Sequence, residues 1–199
     1  MSVSRPVRTG RRPGASSTRD EIAAAARAAF AEVGYDRASL RGIARAARVD
    51  PALVMHFFGS KEGLFREVMT LPGPLAAALA AVAQAPRSEV GRRLAELVVS
   101  GLESPELRGI LLGRIRSAAS HPEAAALVRE VVERDLHALA AAIGGERPEL
   151  RAALVGAHLV GFAVARYVVL VEPMASLTPE QAVDVLAPQF QQALVDPLS

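Results

Sequence analysis

The side chains best suited to chemistry in this sequence are hydroxyls and cations gathered between Ser39 and Lys61. Ser39, Arg41, Arg48, His56 and Lys61 all lie in this stretch. Arginine and lysine form charge-assisted hydrogen bonds with phosphate oxygens, and arginine can also donate to O6 and N7 of guanine. A serine or a lysine at the start of a helix lies beside backbone N–H groups that favour an anion. These residue types predict binding to a polyanion.

The distribution of charge along the chain agrees with that prediction. Residues 1–66 contain 12 Lys and Arg against 6 Asp and Glu, whereas residues 67–199 contain 11 against 15. The formal net charge of +2 therefore hides a basic N-terminal third. Positive charge concentrated in one module is the electrostatic footprint of nucleic-acid binding. The alternative is a random scatter of surface charge.

The sequence lacks the patterns that enzymes use. It has no nucleophile motif and no glycine-rich phosphate loop. His121, His137 and His158 are isolated, and no histidine or carboxylate spacing supports a metal site. The absence of cysteine excludes disulfides and thiolate chemistry. We therefore expect a protein that is not an enzyme and needs no cofactor or metal.

The sequence also lacks a pattern for membrane insertion or secretion. No apolar run follows the basic N-terminus, as a signal peptide requires. The longest apolar stretch, near 154–170, is interrupted by His158 and Arg166, and it falls short of the ~20 apolar residues of a membrane span. We expect a cytoplasmic protein that does not contact a membrane.

The elements that position the cationic residues are predicted to be helices. Apolar residues make up 51% of the chain but aromatic residues only 4%, and the abundance of Ala and Leu favours an all-α fold. Thr18 and Glu21 form a capping box that predicts the start of a first helix, which ends near Gly34. Further helix starts are predicted at Ser39, Asp50-Pro51 and Ser60.

Composition divides the chain into three parts. Residues 1–17 carry four arginines with Pro and Gly, which predicts a basic arm that cannot bury a core; a plain disordered tail is the alternative. Residues 18–71 form a predicted three-helix module with a helix-turn-helix, followed by the breaker Leu71 to Pro74. Residues 72–199 are expected to form a larger helical domain for ligand binding and dimerisation.

The stretch from Leu40 to Gly59 fits a helix-turn-helix, with Ile43, Ala44 and Val54 facing inward. Such a motif presents its second helix outward, where it can lie in the major groove of DNA. A plain corner between two helices is the alternative. The predicted DNA-binding residues are Ser39, Arg41, Arg48, Pro51, Ala52, Leu53, Met55, His56 and Lys61.

These residues resemble the tetracycline-repressor (TetR) family between Thr18 and about Leu71. The resemblance implies a homodimer that binds a palindromic operator in double-stranded DNA and a C-terminal domain that senses a small-molecule inducer. The expected function is a ligand-responsive repressor; a ligand-independent architectural DNA-binding protein is the alternative. The resemblance rests on Phe30-Ala31-Glu32-Val33-Gly34-Tyr35, Ser39-Leu40-Arg41-Gly42-Ile43-Ala44 and Phe58-Gly59-Ser60-Lys61-Glu62-Gly63-Leu64.

Two positions depart from the family pattern. Arg48 stands in the turn where the family usually has Gly, and a left-handed conformation there would cost Arg about 1 kcal/mol relative to Gly. Met55 and Phe57 stand where the family tends to have phosphate-binding Tyr and His. These departures imply that the second helix of the motif binds phosphates more weakly, or that the phosphate contacts are made by His56, Lys61 and the basic arm instead.

Two long helices, about 148–171 and 178–195, are expected to form the dimer interface, because their small and apolar residues recur at helical spacing. Burial of the same stripes within one subunit is the alternative. Arg166 lies in an apolar stretch and needs a carboxylate such as Glu172, the favoured partner, or an acidic ligand. The predicted interface residues are Leu154, Ala157, His158, Gly161, Phe162, Ala165, Val183, Leu186 and Phe190.

The inducer pocket is expected among helices between residues 88 and 171. Its walls should be rich in Leu and Val and poor in aromatic residues. The sequence does not name the ligand or the residues that bind it.

Overall fold

A computed structural model of the chain describes residues 15–71 and 75–197. All regular secondary structure in these residues is helical, and the predicted all-α fold is confirmed. The helices are α1 Ala15–Arg37, α2 Leu40–Ala46, α3 Pro51–Phe58, α4 Lys61–Val68, α5 Leu75–Ala83, α6 Val90–Glu103, α7 Pro105–Ala118, α8 Pro122–Glu130, α9 His137–Ile143, α10 Pro148–Val164 and α11 Pro179–Leu194.

Three shorter segments complete the helical structure. A π-helical turn, Val131–Leu136, joins α8 to α9, and a second, Ala165–Val169, extends α10. A 3-10 turn, Met174–Ser176, precedes α11.

The first helix begins earlier than the capping box predicts. α1 starts at Ala15, so Thr18 lies inside its first turn and residues 15–17 of the predicted arm are helical. Ala and Ser adopt helical backbone angles at little cost, so the helix extends by a turn. The remainder of the predicted arm, residues 1–14, lies outside the described residues. The predicted break at Gly34 is observed as a positive φ of 75°, after which a last turn continues to Arg37.

Helices α1 to α4 share one apolar core. Ile22 and Phe30 of α1 and Leu64 and Phe65 of α4 are fully buried. The rings of Phe30 and Phe65 meet edge to face at 4.9 Å, a favoured geometry for aromatic pairs. This packing holds α2 and α3 on the outside of the module.

Helices α5, α6, α7, α9, α10 and α11 share a second core, in which α6 and α11 pack closely. A Cβ on Gly91 of α6 would come within 2.4 Å of the carbonyl oxygen of Ala187, so only glycine permits this approach. The backbone N–H of Gly91 donates to Gln191 of α11 at 2.8 Å. Phe190 and Leu194 of α11 are fully buried in this core.

One helical run, Pro148–Val169, is long and apolar enough to cross a membrane by length and composition. It contains two buried arginines that bond to other parts of the C-terminal domain. Arg151 donates to the carbonyl oxygens of Ala193 and Asp196 at 2.9 and 3.0 Å. Arg166 donates to the carbonyl oxygen of Leu177 at 2.7 Å. These bonds assign the run to the helical core of the protein.

Candidate DNA-binding site and its connection to the C-terminal cavity

The helix-turn-helix is shaped by side-chain caps at the start of each helix. The Ser39 hydroxyl accepts from the N–H of Gly42 at 3.0 Å, and the Asp50 carboxylate accepts from the N–H of Ala52 at 2.7 Å. Such caps satisfy N–H groups that have no partner inside the helix. The predicted starts of α2 and α3 are therefore observed.

The turn between α2 and α3 contains Arg48 in the left-handed conformation, with φ of 57°. In this conformation Arg costs about 1 kcal/mol relative to Gly. The Arg48 side chain is exposed and makes no hydrogen bond or ion pair with the described residues.

The second helix of the motif presents one face to solvent. Val54 and Phe58 are buried against α1 and α4, while Leu53 and Met55 are 39% and 46% exposed. Exposed apolar groups on this helix could contact the methyl group of thymine, and exposed His56 could contact a base or a phosphate. The exposed residues of α3 are Pro51, Ala52, Leu53, Met55 and His56, all of which the sequence analysis selects.

The first helix of the motif adds two exposed cations on one side. Arg41 and Arg45 are four positions apart, about one helical turn. Neither makes an ion pair with a described residue. Sequence reasoning selects Arg41 but misses Arg45. Its spacing from Arg41 was the available signal.

The Lys61 side chain, which the sequence predicts to be a DNA contact, is partly buried and packs on a neighbouring ring. It is half-buried at the start of α4, and its ammonium nitrogen lies 4.2 Å from the centre of the Tyr35 ring. The Tyr35 hydroxyl donates to the neighbouring Glu62 carboxylate at 2.7 Å. Burial, followed by this hydrogen bond, raises the pKa of Tyr35, and the hydrogen bond from Tyr35 lowers the pKa of Glu62. Lys61 therefore helps to hold α4 against the end of α1.

The predicted interface residues fall into two groups. Ala157 and Gly161 are exposed, and Leu154, His158 and Ala165 are partly exposed. The other four predicted residues are buried in the core of the subunit; they are Phe162 of α10 and Val183, Leu186 and Phe190 of α11, the helix that packs against α6.

Arg166 finds partners that the sequence analysis does not name. Its guanidinium donates to the carbonyl oxygens of Met174 and Leu177, each at 2.7 Å, and lies 3.9 Å from Glu103. Glu172 instead accepts from the hydroxyl of Ser176. Arg166 therefore fixes the connection between α10 and α11.

A cavity of about 400 Å³ lies inside the C-terminal domain. Its volume is in the range of small-molecule sites. Of its described lining residues, one is charged, Arg114 of α7, and the others are aliphatic or glycine. The sequence predicts the aliphatic walls, but it does not predict that Arg114 lines the cavity.

Hydrogen bonds from three residues of α7 connect this cavity to the DNA-binding module. Arg114 donates to the carbonyl oxygen of Met69, at the end of α4, at 2.6 Å. Arg116 donates to the carbonyl oxygens of Ala31 and Glu32 in α1. The Ser117 hydroxyl accepts a hydrogen bond from the backbone N–H of Tyr35, at the end of α1. A shift of α7 would therefore act on both α1 and α4.

A fourth contact lies just beyond α7. The His121 ring stacks on the Tyr35 ring with their centres 3.5 Å apart. His121 occupies the position before α8, and its side chain makes no capping hydrogen bond with the described residues.

These features define a helix-turn-helix DNA-binding regulator with a separate helical domain. Residues 22–68 match the family model "Bacterial regulatory proteins, tetR family", and residues 88–194 match "Tetracyclin repressor-like, C-terminal domain". The chain belongs to the TetR family of transcriptional regulators, as the sequence analysis predicts. The members to which it is similar are regulators and not enzymes.

Solved structures agree with the family assignment. A TetR-family regulator from Streptomyces coelicolor A3 is 34% identical, with 94% of this chain and 99% of that chain covered and a TM-score of 0.57. NalD of Pseudomonas aeruginosa, described as the secondary repressor of the MexAB-OprM multidrug efflux pump, is 25% identical over 92% of this chain and 100% of its own, with a TM-score of 0.68. A TetR-like regulator from Rhodococcus sp. RHA1 shares the fold at 19% identity, with coverage of 94% and 100% and a TM-score of 0.70. No curated protein matches the sequence.

Proposed function

We propose that this protein is a cytoplasmic, dimeric repressor that leaves its operator when a small molecule binds in the C-terminal domain. The observation that carries the proposal is the cavity of about 400 Å³, whose wall includes α7, the helix that is bonded to α1 and α4. A ligand in contact with this wall is placed to change the position of the DNA-binding module. An architectural DNA-binding protein has no need of such a cavity.

Operator binding is assigned to α2, the turn and α3. Arg41, Arg45 and Arg48 supply cations, and the exposed face of α3 supplies base contacts. The proposed boundaries of this module are residues 18 and 71, and the basic arm before it adds phosphate contacts. The capped starts of α2 and α4, at Ser39 and Ser60, direct N–H groups outward beside Arg41 and Lys61.

Dimerisation is assigned to the exposed face of α10, together with α11. A Cβ on Gly161 would meet no atom of the described residues within 4 Å, so the backbone here is open to a partner helix. His158 Nδ1 is buried without a hydrogen-bond partner among the described residues. Val185 of α11 is 41% exposed and extends the apolar face. The proposed interface therefore keeps Leu154, Ala157, His158, Gly161 and Ala165 and replaces the buried residues of α11 with Val185.

The proposal is tested first by finding the operator. Genomic fragments that the purified protein retains would be sequenced, and a palindrome shared by them is the expected result. Release of a fluorescent operator by a chemically diverse compound set would then be measured by anisotropy. Transcription from a promoter that carries the operator should fall when the protein is present, and activation instead would contradict the repressor role.

A variant that fills the cavity tests whether release of the operator depends on ligand binding at this site. Val98 lines the cavity from α6, so Val98→Phe should abolish release by every active compound while operator binding persists. Ser100→Phe places the same ring on the exposed side of α6 and is the matched control. If no compound releases the operator, or if Val98→Phe has no effect on release, the ligand-responsive function is refuted. An architectural role then becomes the better explanation.

A further inference from the structure

Two features of the cavity indicate the chemistry of its ligand: an aliphatic wall and a single arginine, Arg114. The described lining consists of Leu, Val, Ala and Gly residues together with this one guanidinium. Aliphatic side chains favour an apolar, flexible ligand body and offer it no hydrogen bonds. The part of a ligand that contacts Arg114 meets a full positive charge in a site of low polarity.

Arg114 lacks a carboxylate partner. The residue is 5% exposed and forms no ion pair with a described residue. Its hydrogen bonds go to two neutral carbonyl oxygens, those of Met69 at 2.6 Å and Leu127 at 3.5 Å. These bonds use Nε and Nη1, and Nη2 has no hydrogen-bond partner among the described residues.

The nearest acidic groups do not supply that partner. Glu130 and Asp135 act on Arg114 only at longer range, and both are bonded to the guanidinium of Arg134. Burial lowers the pKa of Arg114 because it disfavours the charged form, yet an arginine side chain keeps its proton in proteins. A buried charge without a counterion is unfavourable. An anion that entered the cavity would relieve this cost.

We propose that the cavity binds an amphipathic anion, with an aliphatic body against the Leu and Val walls and a carboxylate or phosphate head on Nη2 of Arg114. The inference rests on the proposed function, because it takes the cavity to be the ligand site. A guanidinium presents several donors in one plane and binds either head group through paired hydrogen bonds.

The position of Arg114 also connects the head group to α4. The same guanidinium bonds through Nε to the carbonyl oxygen of Met69 at the end of that helix, so a head group held by Nη2 shares one side chain with the bond between α7 and α4. Charge-assisted hydrogen bonds are about twice as strong as neutral ones. An anion bound at Nη2 is therefore expected to pull on the same guanidinium that holds α4 to α7.

The first test uses the unmodified, full-length protein. Calorimetric affinities would be measured for decanoate, decyl phosphate and decanol, which share one aliphatic body and differ in the head group. Decanoate or decyl phosphate should bind at least tenfold more tightly than decanol, and their ratio identifies the preferred head. Equal affinity for decanol and both anions, or no binding of either anion, would overturn the inference.

The second test assigns the preference to Arg114. Arg114→Gln should lower the affinity for the preferred anion about tenfold to a hundredfold and leave that for decanol nearly unchanged. Arg129→Gln removes an exposed charge from α8 and is the matched control. An anion preference that survives in Arg114→Gln would refute the assignment.

A third measurement uses the unmodified protein, so its result does not depend on whether a variant folds. The carboxyl carbon of ¹³C-labelled decanoate would be titrated by NMR in the bound and free states. The aliphatic walls raise the pKa of a bound carboxyl and contact with Arg114 lowers it, so the pKa of bound decanoate should not exceed that of free decanoate, and a raised pKa would contradict that contact.

The inference and the proposed function fail in different ways. If a neutral compound releases the operator and Val98→Phe blocks that release, the cavity is a ligand site and only the anion preference is wrong. If neither anions nor any other compound releases the operator, the proposed function itself fails.

Discussion

The hydroxyl of Ser117 accepts a hydrogen bond at 2.9 Å from the backbone N–H of Tyr35, and it also donates to the carbonyl oxygen of Gly113 at 2.6 Å. Both bonds are buried. Ser117 lies on α7 and Tyr35 at the end of α1, so this pair joins the cavity wall to the DNA-binding module across 82 positions of sequence. The module is therefore held at a defined position relative to the C-terminal domain.

Replacement of Ser117 by Ala should destabilise the protein. The Tyr35 N–H would be left buried without an acceptor, which costs about 1–3 kcal/mol. Urea unfolding would measure the loss in free energy of unfolding. Ser100→Ala, at an exposed position of α6, is the control and should change stability by less than about 0.5 kcal/mol. Equal stability of the two variants would show that the buried bond contributes nothing.

Arg41 and Lys61 should contribute differently to DNA binding. Arg41→Ala should cost about 1–3 kcal/mol on the operator and relax preference at one base pair in each half-site, if the side chain pairs with guanine. Lys61→Ala removes a phosphate contact, so it should weaken operator and non-operator binding about equally. Competition binding on single-base operator variants separates the two outcomes.

Two further results would change this assignment. Equal losses on all operator variants for Arg41→Ala would make Arg41 a phosphate contact, and base reading would then rest on α3. Arg93→Ala, which removes an exposed charge from α6, is the control and should leave affinity unchanged. If neither Arg41→Ala nor Lys61→Ala weakens binding, the DNA-binding face is misplaced.

Introduction of a charge at Gly161 should break the dimer. Gly161→Arg would place an unpaired guanidinium in the proposed α10 face, and a two-fold axis would apply the same defect to both subunits. Light scattering should then report the mass of one chain. Ala80→Arg, on the exposed side of α5, is the control and should remain dimeric. A dimeric Gly161→Arg would move the interface elsewhere.

Loss of the Tyr35 hydroxyl should change stability in a pH-dependent way. Its hydrogen bond holds the pKa of Glu62 below the ordinary value of 4.5. A carboxyl whose pKa is lowered by folding adds stability above its unfolded pKa, and that stability is lost as the pH falls through the folded pKa. Urea unfolding should therefore show the largest deficit of Tyr35→Phe above pH 4.5, with a smaller deficit in more acidic solution.

NMR titration of the Glu62 carboxyl carbon gives the direct check. The midpoint should rise toward the ordinary value in Tyr35→Phe and stay low in Tyr167→Phe, which removes a hydroxyl from the C-terminal domain instead. An unchanged midpoint in Tyr35→Phe would contradict the role of this hydrogen bond.

The sequence by itself was sufficient for the local architecture of the DNA-binding module. Ser39, Asp50 and Ser60 cap the helices that they are predicted to cap. Each of these features depends on backbone angles and hydrogen bonds within three residues, so neighbouring residue types are enough to predict it. The start of α1 is the exception, because the residues before Thr18 are also compatible with a helix.

Only the tertiary structure decided what covers each apolar face. Periodicity predicts that Val183, Leu186 and Phe190 share one side of a helix, but a partner subunit and α6 would select the same pattern. The structure buries these residues against α6 and leaves the α10 face around Gly161 open.

The tertiary structure likewise decided the role of the buried arginines. Arg114 meets Met69, which is 45 positions away, and Arg166 meets carbonyl oxygens in the segment before α11 and the carboxylate of Glu103 in place of Glu172. Every backbone carbonyl is an equivalent acceptor as far as the sequence shows. Which carbonyl a guanidinium reaches is set by the packing of helices distant in the chain, and no local pattern encodes it.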